Sequence, residues 1–306
     1  MMKKPLIAVA VSMALASVAQ AETKFYGKMN VAVGYIDAGD NVPAANGGPG
    51  QYFKLQDNAS RLGLKGSADL GTSKVIYQAE FSNPTDNGGI GARDTYLGLQ
   101  YGDLGTVKMG IMDTPLKKSQ GKFDLFSDVI DIKNVMDGEN RMANSVNYTT
   151  TKMGDLQGSV SVVLPDSDAT EGVSASLTYS KDALYAAAAY DNKVKGESTF
   201  RLTAIYNMGD LAVGALINSV DSADVATAGD DELAFAFSAS MKAGENTFKA
   251  QFESGDQQYT GAQSISVGVD HKLAKTTKAY VYANMFDTDT ADTNVTQVFA
   301  GLEHKF

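Results

Sequence analysis

Apolar and polar residues alternate through most of this chain, and the alternating segments are joined by connections of two different lengths. In the first segment Lys28 and Asn30 lie on the face opposite to a set of apolar residues, which comprises Phe25, Met29, Val31, Val33 and Tyr35. A period of two residues is that of a β-strand. Similar segments follow one another to the C-terminus, so the sequence predicts a protein built almost entirely from strands.

The lengths of the connections constrain how these strands are arranged. Seven are tight turns rich in Gly and Asp, which suit hairpins, near residues 69–71, 102–105, 154–156, 181–183, 209–211, 243–245 and 273–275. Eight longer polar connections lie near residues 37–51, 83–92, 113–140, 165–171, 191–198, 219–231, 255–262 and 287–294. The two kinds alternate without exception, so they predict sixteen strands with short turns and both termini at one end.

This arrangement predicts an all-β fold, a 16-stranded antiparallel transmembrane β-barrel. Outer-membrane barrels have short turns on one side and longer loops on the other, whereas a Greek-key sandwich has no reason to sort its connections. Sixteen strands also enclose an aqueous channel. Beyond residue 20 no apolar run approaches the roughly 20 residues of a spanning helix.

Residues 1–21 are predicted to form a cleaved signal peptide, and residues 22–306 the barrel domain. Lys3 and Lys4 precede an apolar stretch, and Ala19 and Ala21 place small residues at the cleavage positions. Cleavage removes two basic residues and no acid, which changes the formal charge from −10 to 24 − 36 = −12. A nucleic-acid partner is therefore not expected.

The composition also excludes most kinds of chemical site. The chain has no Cys, which excludes disulfides, thiol catalysis and thiolate metal sites. Its two histidines, His271 and His304, are not close to a candidate Ser on a matching strand face. We therefore expect no enzymatic activity, no metal site and no cofactor.

The alternation stops between Met112 and Arg141. From Phe123 to Met136 the apolar residues fall on one face at helical spacing, namely Leu125, Val129, Ile132 and Met136. Three carboxylates share another face, those of Asp124, Asp128 and Asp131. The spacing predicts a short amphipathic helix with an acidic stripe, which either is solvated or faces a positive surface.

Basic residues that could form such a surface lie at or near strand ends. Arg61, Lys108 and others lie on the parity opposite to the apolar residues wherever that parity can be read. If the strands close, the acidic stripe can meet a basic wall in the lumen, formed by Arg61, Arg93, Lys108 and Arg141. Opposed rows of charge would set up a transverse field. Five other charged residues are expected only to wet the lumen: Lys65, Glu80, Arg201, Lys249 and Glu253.

Five stretches of the sequence carry a resemblance to a known protein family. They are residues 25–28 (FYGK), 60–66 (SRLGLKG), 93–112 (RDTYLGLQYGDLGTVKMGIM), 144–148 (NSVNY) and 301–306 (GLEHKF). In these stretches the chain resembles the Gram-negative general diffusion porins. The resemblance implies a third loop that folds into the barrel and narrows it, facing basic wall positions Lys28, Arg61, Arg93 and Arg141; Lys108 is added from strand parity alone. This loop lacks the Pro-Glu-Phe-Gly-Gly turn of the enteric branch.

The resemblance also implies location in the outer membrane, in contact with its lipid. It implies a homotrimer packed through the first few strands and the last, and a terminal Phe306 read by the barrel assembly machinery.

The sequence therefore predicts a pore for passive diffusion of small hydrophilic solutes and ions. A weak cation preference is expected, because the predicted external loops hold many of the excess acids. Two alternatives remain open: a substrate-specific channel and a non-conducting adhesion or binding barrel.

Overall fold

A computed structural model describes residues 21–43, 47–164, 172–221 and 232–306, so the predicted signal segment lies outside the described residues except for Ala21. The described residues form seventeen strand segments in one antiparallel sheet that closes on itself, because β1 pairs with β17 and also with β2 and β3. The segments are β1 Ala21–Ala38, β2 Gly50–Asp57, β3 Arg61–Asp69, β4 Ser73–Ser82, β5 Gly91–Tyr101, β6 Gly105–Asp113, β7 Arg141–Thr149, β8 Leu156–Val163, β9 Gly172–Lys181, β10 Leu184–Val194, β11 Glu197–Met208, β12 Leu211–Asp221, β13 Glu232–Ala243, β14 Asn246–Gly255, β15 Ala262–Ala274, β16 Thr277–Asp287 and β17 Val295–Lys305. Helix α1 is Pro115–Ser119, and 3-10 turns cover Gly102–Leu104 and Ile132–Asn134.

The seventeen segments in the described residues make a wall of sixteen strands, because β2 and β3 are two halves of one interrupted strand. β1 pairs with β2 through Val31–Ala38 and with β3 through Ala21–Lys28. At the interruption the buried Ser60 accepts a 3.0 Å hydrogen bond from the backbone N–H of Asn30. The predicted 16-stranded antiparallel barrel is confirmed.

The two faces of the wall carry different side chains, as the alternation predicts. Phe25, Phe53 and Leu302 are among the many large apolar residues exposed on the outer surface. The buried set contains many polar residues, such as Lys28 and Arg201. In the part of the chain that the structure describes, no helix is long and apolar enough to cross a membrane. The apolar face of each strand is therefore presented outward, toward lipid or a neighbouring protein.

Among the connections that the structure describes in full, the one between β10 and β11 departs from the predicted alternation of lengths. Only Lys195 and Gly196 join β10 to β11, whereas the sequence predicted a longer connection over residues 191–198. Lys195 and Gly196 have φ of +56° and +89°, and the pairing shifts register between Asp191 and Val194. The polar residues predicted to form a loop extend the two strands instead. A strand needs no apolar face where it lies beyond the lipid, so polar residues can continue the strand pairing there. The prediction of a long connection is wrong here.

The third long connection, residues 114–140 and called loop 3 below, folds into the barrel as predicted. Its apolar residues pack against the inner wall in two clusters. Phe126, Val129 and Ile130 pack with residues of β1, β16 and β17, among them Ile36 and Phe299. Four others pack with residues of β12, β13 and β15, namely Phe123, Ile132, Val135 and Met136. The loop therefore lies along the wall and does not project across the lumen.

The predicted helix over residues 123–136 is wrong. The loop is helical at Pro115–Ser119 and makes a 3-10 turn at Ile132–Asn134. Two of the aspartates explain the difference, because Asp124 and Asp131 accept hydrogen bonds from backbone N–H groups two residues ahead, at 3.2 and 3.1 Å. Such bonds compete with a helix. Asp128 also has a positive φ of 74°, which an α-helix does not contain.

Candidate pore constriction

A bulge in the wall brings a base and an acid to the lumen side by side. Ala79 pairs with Thr95 and Phe81 pairs with Ala92, so Glu80 on β4 faces two residues of β5, Arg93 and Asp94. An extra residue on one strand interrupts the alternation of faces locally. Arg93 and Asp94 can therefore both take inward partners, although they are neighbours in sequence.

Glu80 joins two of the predicted basic residues. Its carboxylate lies 2.7 Å from Nε of Arg93 and 3.7 Å from Nε of Arg61, and it also accepts a 2.9 Å hydrogen bond from the hydroxyl of Tyr26. Glu80 is buried, whereas the two arginine side chains are partly accessible. Glu80 thus holds the two guanidinium groups close together at the lumen surface, and its role goes beyond the wetting that the sequence suggested.

Arg141 is paired within the wall in a similar way. Its Nε lies 2.7 Å from Oδ1 of Asp94, and its Nη2 lies 3.0 Å from Oδ1 of Asp113. Asp113 is also 3.6 Å from Nζ of Lys117, which continues the chain of alternating charges into loop 3. The structure therefore pairs Arg61, Arg93 and Arg141 with carboxylates of the wall and not with those predicted on loop 3.

Of the three predicted loop carboxylates, Asp128 reaches the basic wall. It forms an ion pair with Lys28 of β1, whose side chain is only 4% accessible. The apolar cluster around Phe126 places the loop on β1 and so brings these two charges together. This contact matches the predicted pairing of loop acid and wall base.

The other two predicted carboxylates do not face the basic wall. Asp131 pairs with Lys133 of its own loop at 3.2 Å. Asp124 lies against β14, where it accepts a 3.2 Å hydrogen bond from the side-chain amide of Gln251, close to Glu253. Burial, followed by the charges of Glu253 and Asp131, raises the pKa of Asp124 well above its usual range. A continuous acidic stripe does not form, because the helix that would have aligned the three residues is absent.

Lys108 faces the lumen from β6 and takes no part in the ion pairs of the three arginines. Its ammonium is 4.7 Å from the centre of the Tyr96 ring, a cation–π contact. Within the described residues no carboxylate lies within 4.0 Å of it, and a further positive charge, that of Lys118, is close by. Lys108 is therefore a basic residue of the lumen, but not one that faces the loop carboxylates.

Sequence reasoning missed the residues that fix loop 3 to the far wall. Arg201 of β11 is fully buried, lies 2.7 Å from Glu139 and donates a 2.7 Å hydrogen bond to the carbonyl of Asp137. Lys249 of β14 donates a 2.9 Å hydrogen bond to the carbonyl of Leu125. Their inward parity was visible in the sequence, but their partners were not, because contacts between residues so far apart depend on the path of the loop.

The returning part of the loop carries a second perturbed carboxyl. Asp137 accepts a hydrogen bond from the side chain of Gln258, and its backbone N–H donates to Gln257 at 3.1 Å. Burial, together with the charges of Glu197 and Glu232, raises the pKa of Asp137 to about 6. The return of the loop thus contains an acid whose charge changes near neutral pH.

A family model described as Gram-negative porin matches residues 8–291 of this chain. The chain belongs to the Gram-negative porin family. The porin is 25% identical to the major outer membrane protein P.IB of Neisseria gonorrhoeae over 354 residues, with 100% of both chains covered. It is accordingly an outer-membrane pore protein for passive diffusion.

Solved structures share the fold of this porin. The anion-selective porin from Comamonas acidovorans superposes with a TM-score of 0.79 at 21% identity, covering 94% of this chain and 100% of that one. The trimer form of OmpT, an outer membrane protein of Vibrio cholerae, gives a TM-score of 0.70 at 14% identity, covering 94% and 100%. At these identities the likeness concerns the barrel architecture.

Proposed function

We propose that this porin passes small hydrophilic solutes and ions through a passage between loop 3 and the luminal faces of β3 to β8. The observation that carries the proposal is the position of loop 3, whose contacts run along β9 to β17 and on to β1. On the opposite side Arg61, Arg93 and Arg141 keep part of their side chains accessible. Solutes in this passage meet water and paired charges, and no chemical conversion is involved.

Membership of the porin family supports a proposal for the orientation and assembly of the pore. We infer that both termini and the short turns face the periplasm, and that the longer connections face outward, since porin barrels are oriented in this way. A homotrimer packed through the first few strands and the last fits the exposed apolar residues there, such as Phe25, Val33 and Phe53. A solved relative in fold is described as a trimer form. Sedimentation of unheated, detergent-extracted protein as a monomer would contradict this assembly.

The paired charges support a weak ion selectivity. Asp128 is neutralised by Lys28, Asp131 by Lys133, and the three arginines by Glu80, Asp94 and Asp113. The net charge of −12 after signal cleavage then sets the sign of the ion selectivity. Several of its acids, such as Asp166 and Asp230, lie outside the described residues. We infer a mild cation preference that fades as salt shortens the Debye length, about 10 Å at 0.1 M.

An anion preference is the second candidate, and Lys108 favours it, because this lumen cation has no ion-pair partner among the described residues. The fold relative from Comamonas is itself described as anion-selective.

Planar-bilayer recordings test both the pore and its preference. We expect stable conductance with little discrimination among small neutral solutes, and a reversal potential on the cation side in a dilute KCl gradient that approaches zero in concentrated salt. No conductance would favour an adhesion barrel, and block by one solute would favour a specific channel. A reversal potential on the anion side at low salt, abolished by Lys108→Gln, would establish the second candidate.

A further inference from the structure

A recess lies beside the tip of loop 3, and none of the three wall arginines lines it. It lies between loop residues 128–134, the luminal face of β2 and the connection from β16 to β17, and its volume is about 530 Å³. Small-molecule sites in proteins are mostly concave spaces of about 300–1,000 Å³. The recess is therefore large enough to hold a small organic solute together with water.

The charges around the recess leave one cation without an ion-pair partner. Asp128 is paired with Lys28 and Asp131 with Lys133. Lys54 of β2 also lines the recess, and among the described residues no carboxylate lies within 4.0 Å of its ammonium. Asp86 acts on it electrostatically from beyond that distance. The recess thus presents a positive charge that an anionic group could neutralise.

Apolar and aromatic surface lies in the same recess. Tyr259 and Phe286 contact each other edge to face, with ring centres 5.9 Å apart, and both line the space. Val129 and Val295 add aliphatic surface. A site that combines a lone cation with aromatic and aliphatic side chains selects a ligand that is anionic at one end and apolar at the other.

We propose that this recess is a binding site for small aromatic carboxylates, with the carboxylate on the ammonium of Lys54 and the ring beside Phe286. The site rests on the proposed pore, because the ligand reaches it through the lumen. A solute held there lies beside the tip of loop 3 and next to Asp128, the loop carboxylate that pairs with Lys28 and borders the lumen. Occupancy therefore obstructs part of the lumen and lowers the ionic current.

The test measures current through the wild-type porin in planar bilayers in 0.1 M NaCl while phenylacetate is added. We expect a saturable decrease of current with phenylacetate. Phenylacetamide, which lacks the charge, and acetate, which lacks the ring, should each need about tenfold higher concentration, since a charged hydrogen bond or a buried ring contributes about one factor of ten. Equal effects of all three compounds would overturn the proposal.

Variants separate this site from the general charge of the lumen. Lys54→Gln should raise the half-blocking concentration of phenylacetate about tenfold and leave that of phenylacetamide unchanged, while Lys54→Arg should retain block. Lys65→Gln is the matched control. The ammonium of Lys54 lies 5.4 Å from the centre of the Phe299 ring and that of Lys65 lies 4.9 Å from the centre of the Tyr26 ring, but Lys65 does not line the recess. If Lys65→Gln raised the half-blocking concentration of phenylacetate as much as Lys54→Gln does, the proposal would be overturned. If the wild-type porin did not conduct in the absence of phenylacetate, the proposed pore itself would be contradicted. Failure of the binding site and failure of the pore are therefore distinguishable.

Discussion

Replacing Asp128 by Asn tests how loop 3 is held against the wall. The substitution keeps the size of the side chain but leaves the Lys28 ammonium, 4% accessible, without its carboxylate. Removing one partner of a buried ion pair costs about 3–5 kcal/mol. Because Asp128 is 29% accessible and borders a wet lumen, we expect the low end, about 3 kcal/mol in the free energy of unfolding.

The matched control is Asp131→Asn in the same loop. Asp131 and Lys133 form a 3.2 Å ion pair whose side chains are 36% and 64% accessible. Exposed pairs contribute roughly 0–1 kcal/mol, so this variant should unfold within about 1 kcal/mol of the wild type. The two variants change the net charge equally and differ in the burial of the lysine partner.

Urea unfolding in detergent micelles measures both variants, and Lys28→Gln together with the double variant Lys28→Gln/Asp128→Asn completes a cycle around the buried pair. We expect a coupling energy of about 2 kcal/mol, within the range for residues in direct contact. Asp128→Asn should also move the reversal potential toward anions, since the Lys28 charge is uncovered. If Asp128→Asn is no more destabilising than Asp131→Asn, the reasoning about the buried pair is refuted.

The remaining predictions concern the barrel closure, the far side of loop 3 and pH. Deleting Phe306 should reduce the amount of porin that reaches the cell surface and lower stability by about 2 kcal/mol, because two backbone hydrogen bonds at the barrel seam are lost; normal surface levels would contradict it. Arg201→Met should detach the returning part of loop 3 and raise single-channel conductance or its noise, whereas Lys65→Gln should not. Because the pKa values of Asp124 and Asp137 are raised in the folded state, that state binds more protons than the unfolded one, and stability should fall as pH rises from about 4 through 6. Asp124→Asn should flatten this dependence in urea unfolding between pH 4 and 8, and an unchanged slope would exclude Asp124 as its source.

Changing Asp124, Asp128 and Asp131 together to Asn should shift the reversal potential toward anions with little loss of conductance. The structure divides that effect among the three residues. Asp128 and Asp131 carry charge at the lumen, whereas Asp124 is held against β14 and its raised pKa reduces its charge. We expect the shift to come from Asp128 and Asp131, and a shift produced by Asp124→Asn alone would contradict this assignment.

The barrel could be predicted because its determinants are local. A period of two sets which side chains face lipid, and Gly and Asp mark the turns. The path of loop 3 was not predictable in the same way, since residues 123–136 have a helical spacing that two Asx hydrogen bonds and the positive φ of Asp128 overrule. Its apolar residues were identified correctly as wall contacts, but they divide between two clusters.

The sequence suggested members for a basic wall but did not indicate the partners that these residues have in the structure. Strand parity identified Arg61 and Lys108 as luminal, and the resemblance to porins added Lys28. The choice of Glu80 and Asp94 as partners depends on the register between β4 and β5, which parity does not specify. Likewise the two-residue turn at Lys195 and Gly196 could not be distinguished from a longer loop, because polar residues occur both in loops and in strands beyond the lipid.

The bulge at Arg93 and Asp94 has a consequence for how such pores can diverge. A single inserted codon in a barrel strand normally moves every later side chain to the opposite face, which would bring charges to lipid. At a bulge the extra residue is absorbed locally, and the flanking pairs Ala79 with Thr95 and Phe81 with Ala92 keep their faces. Gain or loss of one residue at this point therefore changes the ionic lining of the channel without altering its membrane surface, so selection can act on permeability while the outer wall stays constant.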